Sequence, residues 1–366
     1  LGAELADESR FDRKNYFYPD LPKGYQISQY QFPLVKTGKL KLPSSGKEVR
    51  ITRVHLEEDA ARSVHNPKTG HTLVDFNRSG VPLMELVTEP DIKSSAEARE
   101  FAEELQLLLR YIGASDADME KGQMRVEANI SIAPLSGWAA KLGTKVEVKN
   151  INSFKAVVGA IEYEIKRQAE LLERGERIKQ ETRGWDDVNQ VTVSQRSKEE
   201  ANDYKYFPEP DLPPLKISEV PEFLPEALKA ELPELPSQKR ERFQKEYGVS
   251  GATLEFFVRD KALSEFFEQA TSEAERWAPQ VKKAKLVSLL VNYITSDLAG
   301  LLASRGLSVA EIRVTPENFA ELVKMAAAGE ISSRGAKDLL AAMLETGGDP
   351  SDLAEKAGHK IIEGKD

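Results

Sequence analysis

The sequence predicts an α+β protein: a sheet-bearing N-terminal part followed by an all-helical C-terminal part. Three observations carry this. Two runs between Met124 and Lys149 alternate apolar and polar residues with the period of a strand. Segments on either side of them repeat apolar side chains at helical spacing. From about residue 237 onward strand signals fade and helical periodicity dominates.

The first element, Phe11-Asp-Arg-Lys-Asn-Tyr-Phe-Tyr-Pro-Asp20, reads as an aromatic strand ended by Pro19. Tyr16, Phe17 and Tyr18 could stack bases while Arg13 and Lys14 contact phosphates. The competing reading tucks the rings under a sheet, and it is the favoured one for Phe17. Lys14 stays a candidate for a nucleotide phosphate or an acyl group. Next, the β-like run Val49-Arg-Ile-Thr-Arg-Val54 leads into an acidic knot, His55-Leu-Glu-Glu-Asp59.

A second acidic segment follows, Asp75-Phe-Asn-Arg-Ser-Gly-Val-Pro-Leu-Met-Glu-Leu-Val-Thr-Glu-Pro-Asp91. Gly80 and Pro82 forbid a helix through its middle. Leu83, Met84, Leu86 and Val87 read as a short buried strand interrupted by Glu85. A carboxylate among apolar neighbours is costly unless paired or bound to a cation. Two acidic knots at the ends of separate strands suit Mg²⁺ held against a nucleotide. Charge runs are more often solvated, so the knots also fit turn caps facing water.

Ser94-Ser-Ala-Glu97 is a capping box that opens a helix carrying Phe101, Leu105, Leu108 and Ile112 and stopped by Gly113. In the strands that follow, Met124, Val126, Ala128, Ile130 and Ile132 share one face, as do Val146 and Val148. Arg125, Glu127, Asn129, Ser131, Lys145, Glu147 and Lys149 share the other. The expected arrangement is an antiparallel layer with helices on one face and an open polar surface. That surface is either merely wet or a site. Its mixed charges and amides, with Asn150 in the loop before a helix N-terminus at Ser153, favour an anion site. The helix from Ser153 carries Val157, Ile161, Ile165 and Leu172 and ends before Gly175.

Gln180-Glu-Thr-Arg-Gly-Trp-Asp187 places Arg183 in a loop-like stretch, where a surface salt bridge is the plain alternative. Asp203-Tyr-Lys-Tyr-Phe-Pro-Glu-Pro-Asp211 reads as a rigid loop. Residues 208–236 hold eight of the 19 prolines and mark a stiff connection. In the helical part, Lys282, Lys283 and Lys285 precede the stripe Leu286, Leu289, Leu290, Tyr293 and Ile294. Ser332-Ser-Arg-Gly-Ala-Lys337 opens another helix with Arg334 and Lys337.

With 366 residues, 40% hydrophobic and 30% charged, the chain can bury the cores of two or three domains. No uninterrupted run of about eighteen apolar residues occurs, so no membrane span is expected. The absence of cysteine excludes disulfides, thiolate zinc sites and a cysteine nucleophile, and fits a cytoplasmic protein. Four histidines leave little room for a multi-histidine metal centre. A net charge of −9 argues against non-specific nucleic-acid binding while allowing a local basic patch. There is no phosphate-loop, dinucleotide-binding or nucleophile-elbow motif. A bound nucleotide would therefore depend on metal and carboxylates.

FDRKNYFYPDLPKGYQIS, HLEEDA, DFNRSGVPLMELVTEPD, VEVKNINSFK and YFPEPDLPPL together resemble the GatB component of the tRNA-dependent amidotransferase GatCAB, over essentially the whole chain. The resemblance implies ATP- and Mg²⁺-dependent phosphorylation of the side-chain carboxylate of misacylated Glu-tRNA(Gln) or Asp-tRNA(Asn). Ammonia from the amidase subunit of the same complex then displaces the phosphate, and the complex's small subunit is a further partner. It implies a catalytic cradle over residues 1–216, distantly like glutamine synthetase, a helical domain over 217–345, and the start of a tail module over 346–366. By motif, Glu58 and Glu85 correspond to the Mg²⁺ ligands, and Lys14 and Arg183 to the basic residues assigned to phosphate or acyl-phosphate. Glu127 and Glu147 would line the cavity as catalytic groups, with Arg78, Lys149 and Asn150 binding ATP or acyl-phosphate. Lys282, Lys283, Lys285, Arg334 and Lys337 would contact tRNA. The family's opening Gly-Leu-Glu-x-His-x-x-Leu segment, a further source of metal ligands, has no counterpart in this sequence. Two rivals are a non-catalytic tRNA-binding scaffold that docks the amidase, and a ligase for a small carboxylate. The long helical part argues against the latter.

Overall fold

From Glu48 onward β-branched residues alternate with charged ones, and this stretch is the longest strand among the described residues of the computed structural model, which are 1–66, 68–133, 142–197 and 204–359. The strands before it are β1 (Glu4–Leu5), β2 (Glu8–Ser9), β3 (Asp12–Asn15), β4 (Tyr25–Ser28), β5 (Val35–Lys36) and β6 (Lys39–Lys41); the long strand is β7 (Glu48–Glu58). After it come β8 (Arg62–His65), β9 (Thr72–Asp75), β10 (Pro82–Thr88), β11 (Val126–Ile130) and β12 (Val146–Ile151). The last four are β13 (Glu181–Asp186), β14 (Val191–Ser197), β15 (Phe207–Pro208) and β16 (Leu215–Lys216).

The first sheet runs β1-β5-β7-β10, with β6 also on β7, and every pair is antiparallel. Thr88 lies opposite Ile51 and Val87 opposite Arg53, so Thr52 is an extra residue on β7. This bulge switches the inward phase from Val49 and Ile51 to Val54. Those residues, with Leu40 and Leu42, pack on Phe101 and Leu105 of helix α1 (Ser95–Tyr111). The Ser94 hydroxyl caps α1 by accepting from the Glu97 N–H, as the capping box requires.

The second sheet runs β11-β12-β13-β14. The expected antiparallel layer needs correction here, because β12 and β13 are parallel. Parallel neighbours need a long crossover, and helix α2 (Phe154–Glu173) supplies it. Ile130, Val148, Ile151, Val157, Ala160, Ile161 and Trp185 form the core under α2. Burying Val157 or Ile161 contributes about 1.5–3 kcal/mol each. Gly159 lets Trp185 come close, since a Cβ there would lie 3.0 Å from the indole. Smaller pairings complete the unit: β15-β3-β4, β16-β2 and the β8-β9 hairpin.

The chain divides into two compact units, Leu1–Pro233 and Glu234–Asp366. The proline-rich stretch up to Pro233 belongs to the first unit: β16 pairs with β2 there, and short helix α3 (Pro225–Glu231) follows it.

The second unit holds α4 (Pro236–Tyr247), α5 (Gly251–Arg259), α6 (Lys261–Trp277), α7 (Lys283–Asn292), α8 (Ala299–Arg305), α9 (Pro316–Ala328), α10 (Ser333–Thr346) and α11 (Pro350–Ala357). Phe243, Phe257 and Phe267 form its aromatic centre, with Phe257 and Phe267 rings 4.6 Å apart. A π-helical turn, Tyr293–Leu298, joins α7 to α8. The resulting Lys283–Arg305 span is 23 residues, long and apolar enough by length and composition to cross a membrane, which no uninterrupted apolar run suggested. Its Leu286, Leu290, Ile294 and Leu298 are fully buried in the unit's core. Helix α11 packs on α9 and α10. Residues 360–366 of the expected tail module lie outside the described residues.

Candidate functional site

Strand register builds the site. Beyond the Thr52 bulge, His55 lies directly opposite Glu85, and Glu57 is two residues further along β7 on the same face. Their ligand atoms all lie within 4.8 Å of one another. His55 Nε2 is 3.7 Å from Glu57 and 4.0 Å from Glu85. Burial pushes the Glu57 carboxyl up, but contact with His55 and the charge of Lys14 outweigh it, and the net direction is down. Arg53 donates to His55 Nδ1 at 3.4 Å, which leaves the proton on Nε2, facing Glu57.

This corrects the reading of Glu85 as a buried charge. Its side chain is 46% exposed, and Met84 beside it is exposed too. β10 is an edge strand: Leu86 packs against the core of the first sheet, whereas Met84 and Glu85 are exposed. Glu58, the other expected metal ligand, is not part of the cluster. Adjacent strand residues point to opposite faces, and Glu58 is engaged by the Lys23 ammonium and the Ile27 N–H.

Lys14, on β3, does face the cluster's surroundings. Lys14, Tyr16, Tyr18, Asp20, Lys149 and Tyr204 line an open cavity of about 290 Å³. Two ammonium groups from different sheets thus meet one cavity. Lys149 is 3.1 Å from Glu127 and 3.8 Å from Glu147. Burial lowers its pKa, but the two carboxylates outweigh that and the net direction is up. Tyr206 stacks on Tyr30 at 4.4 Å, and burial followed by the charge of Glu57 pushes its phenol up to about 12. Phe17 does not tuck under a sheet: it is 89% exposed beside Gly24, where a Cβ would meet its ring at 3.0 Å.

Three expected site residues are held elsewhere. Arg183 belongs to strand β13, not a loop, and pairs with Val148, whose face is covered by α2. It donates to the Thr192 hydroxyl (2.8 Å) and carbonyl (2.7 Å) and to Glu181 (2.7 Å), and lies 3.6 Å from fully buried Glu164. Glu127, Glu147 and Lys149 lie on the opposite, polar face, where Thr182 donates to Glu147. Arg78 donates to Asp59 (3.0 Å) and the Gly122 carbonyl (2.6 Å), and Arg125 grips the same buried carboxylate at 2.8 Å. Asn150 adopts a left-handed φ of 61° and donates to the Trp185 carbonyl. It is the extra residue of a bulge that keeps Val148 and Ile151 both inward, a structural task.

In the second unit, Lys282 and Arg334 are exposed. Lys283 pairs with Glu275 at 2.8 Å, Lys337 with Asp297 at 2.9 Å, and Lys285 reaches the Ala327 carbonyl at 3.4 Å. Residues that sequence reasoning missed are His55 and Glu57 as the cluster, and Tyr204 and Asp20 as cavity lining. Both members of the first pair stand inside HLEEDA, but the bulge that selects their face has no sequence signal. Asp203, at the head of the expected rigid loop, lies outside the described residues.

Comparison with known proteins identifies the family. A family model described as the GatB/GatE catalytic domain matches residues 1–221, and one described as the GatB domain matches residues 266–366. The relatives found are named as the B subunit of aspartyl/glutamyl-tRNA(Asn/Gln) amidotransferase. They include that of Crocosphaera subtropica, 47% identical over 98% of this chain and 72% of its own length. That of Thermotoga maritima is 46% identical with the same coverage, and that of Rickettsia felis is 47% identical over 98% and 71%. With both matched regions in order along the sequence, the chain belongs to the GatB family of tRNA-dependent amidotransferase subunits.

Proposed function

We propose that the N-terminal unit phosphorylates the side-chain carboxylate of a misacylated tRNA with ATP, so that ammonia from an amidase subunit can convert it to the amide. The substrate would be Glu-tRNA(Gln), Asp-tRNA(Asn) or both. The partners would be the amidase and small subunits of the amidotransferase, and the setting cytoplasmic. A distant likeness of the sheets to glutamine synthetase belongs to the same proposal.

One observation carries the reading: two lysines, Lys14 and Lys149, converge on one cavity, and Lys14 couples electrostatically to the carboxylate cluster of Glu57. Phosphoryl transfer needs charge neutralisation and positioning more than a covalent protein group. Two ammoniums and a set of aimed carboxylates answer that need. The donor set fits Mg²⁺, which takes one or two carboxylates and keeps its remaining positions for water and phosphate oxygens. Glu57 and Glu85 would hold it. His55 fits an orienting role better than a ligand role, because Arg53 already donates to its other nitrogen. When bound, the ion would neutralise charge building up on the phosphates. Lys14 would hold the carboxylate or the transferred phosphoryl group. Lys149, kept protonated by Glu127 and Glu147, would stabilise the acyl-phosphate. Aromatic walls from Tyr16, Tyr18 and Tyr204 would limit water. Lys282 and Arg334 on the second unit would meet tRNA phosphate.

The test uses the full chain assembled with its amidase and small subunits. γ-Labelled ATP, Mg²⁺ and either misacylated tRNA are supplied, with and without glutamine. Phosphate release that requires misacylated tRNA is expected, and the preferred tRNA identifies the substrate. Tight tRNA binding without any release would leave a docking scaffold instead.

A further inference from the structure

The Lys14 ammonium is seated by an aromatic ring that comes from a chain segment about 190 residues later in the sequence. It lies 5.0 Å from the centroid of Tyr204 and 5.9 Å from that of Tyr16. Among the described residues no carboxylate comes within salt-bridge distance of it. Lys149, across the cavity, is by contrast paired with Glu127. Glu57 feels the Lys14 charge without contacting it.

The segment bearing Tyr204 is pinned to β3. The Asn15 N–H donates to the Tyr204 carbonyl and the Asn15 amide to the Lys205 carbonyl, both at 2.8 Å. Phe207 pairs with Arg13, and the Glu209 N–H donates to the Phe11 carbonyl. Arg13 then grips buried Glu209 bidentately at 2.7 and 2.9 Å, with Asp211 at 3.1 Å. Such a fork fixes direction as well as distance. Alternate strand residues divide the work: Arg13 locks the segment on one face of β3, and Lys14 faces the cavity on the other.

We propose that Tyr204 is a positioning residue, whose π-face holds the Lys14 ammonium unpaired and aimed into the cavity, and that the Arg13–Glu209 fork holds Tyr204 there. This rests on the phosphoryl-transfer reading above. A carboxylate in place of the ring would neutralise Lys14 and lower its use to an incoming anion. A ring orients the cation and leaves its charge available.

The experiment places phenylalanine and its mono-, di- and trifluorinated forms at position 204 of the full chain in the assembled amidotransferase. Fluorine drains the ring's negative face while keeping its shape, so folding is not disturbed. Expected is a kcat for tRNA-dependent phosphate release that falls stepwise with fluorine number, reaching between about 2-fold and about 30-fold. The KM for misacylated tRNA should stay level. Tyr204→Phe should recover most of wild-type kcat, and Glu209→Gln should lose kcat in the same KM-neutral way. Lys14→Met is run alongside. If it abolishes release while the fluorine series is flat, the Tyr204 proposal is overturned and the site reading stands. If Lys14→Met releases phosphate at the wild-type rate, the site reading itself falls.

Discussion

Arg183→Met separates a motif-based role from a structural one. The family resemblance led to the expectation that Arg183 handles phosphate, whereas its register puts it under α2 with Glu164, Glu181 and Thr192. Its side chain is 12% exposed and Glu164 is fully buried. Removing one partner of a buried ion pair costs about 3–5 kcal/mol, because the remaining charge is left in low dielectric. Arg167 stays 2.6 Å from Glu164, so the loss belongs at the lower end, about 3 kcal/mol. For a unit of this size that is a drop in Tm of roughly 6–12 °C. Trp185, buried in the same sheet, reports the transition by fluorescence during thermal or urea unfolding. Arg183→Lys should recover little, since an ammonium cannot reproduce three hydrogen bonds from a planar fork. Phosphate release per folded molecule should remain within about threefold of wild type. An unchanged unfolding midpoint together with lost phosphate release would refute the register argument and return Arg183 to the reacting atoms.

Three further outcomes follow from the geometry. Glu57→Gln and Glu85→Gln should each cut Mg²⁺-dependent phosphate release by about 100-fold or more and leave tRNA binding nearly intact. Glu58→Gln should cost less, and a filter-binding and release comparison that ranks Glu58 first would show the wrong face was chosen. Asp91 is held down to about 2, chiefly by its side-chain hydrogen bond from Arg50. With the folded value depressed, its stabilisation is full above the unfolded value of 3.8 and is lost as pH falls towards about 2. Asp91→Asn should thus lower stability at pH 7 by at most about 1 kcal/mol, since Arg50 is largely exposed. The difference from wild type should vanish in acid melts, and a gap that persists at pH 2 would exclude the charge as its source. Lys282→Ala and Arg334→Ala should each weaken tRNA binding and reduce the salt slope by about 1, measured by titration across salt concentrations. Unaltered slopes would remove those cations from the phosphate interface.

Local signals were read with success wherever the physics is local. Ser94 and Ser153 mark their helices because a hydroxyl at the N-cap satisfies a backbone N–H three residues on. The polar face of Glu127, Glu147 and Lys149 follows from period-two alternation, and the structure gathers these residues around one ammonium. Two bulges, at Thr52 and at Asn150, carry no such signal, and one extra residue there reverses or restores the phase. The apolar run around Glu85 misled, because an edge strand and a central strand can carry the same run.

By itself, then, the sequence determined that the chain is α+β with a helical second part, that helices open after Ser94, Ser153 and Ser332, and which motifs identify its family. These depend on neighbours a few residues apart, so composition and spacing suffice. Only the tertiary structure decided that β12 and β13 run parallel, that His55, Glu57 and Glu85 share a face while Glu58 does not, and that Arg183 is a buried support. It alone brought Tyr204 to Lys14. Such facts depend on strand register and on contacts between residues far apart in sequence, where a one-residue slip turns a side chain to the other face.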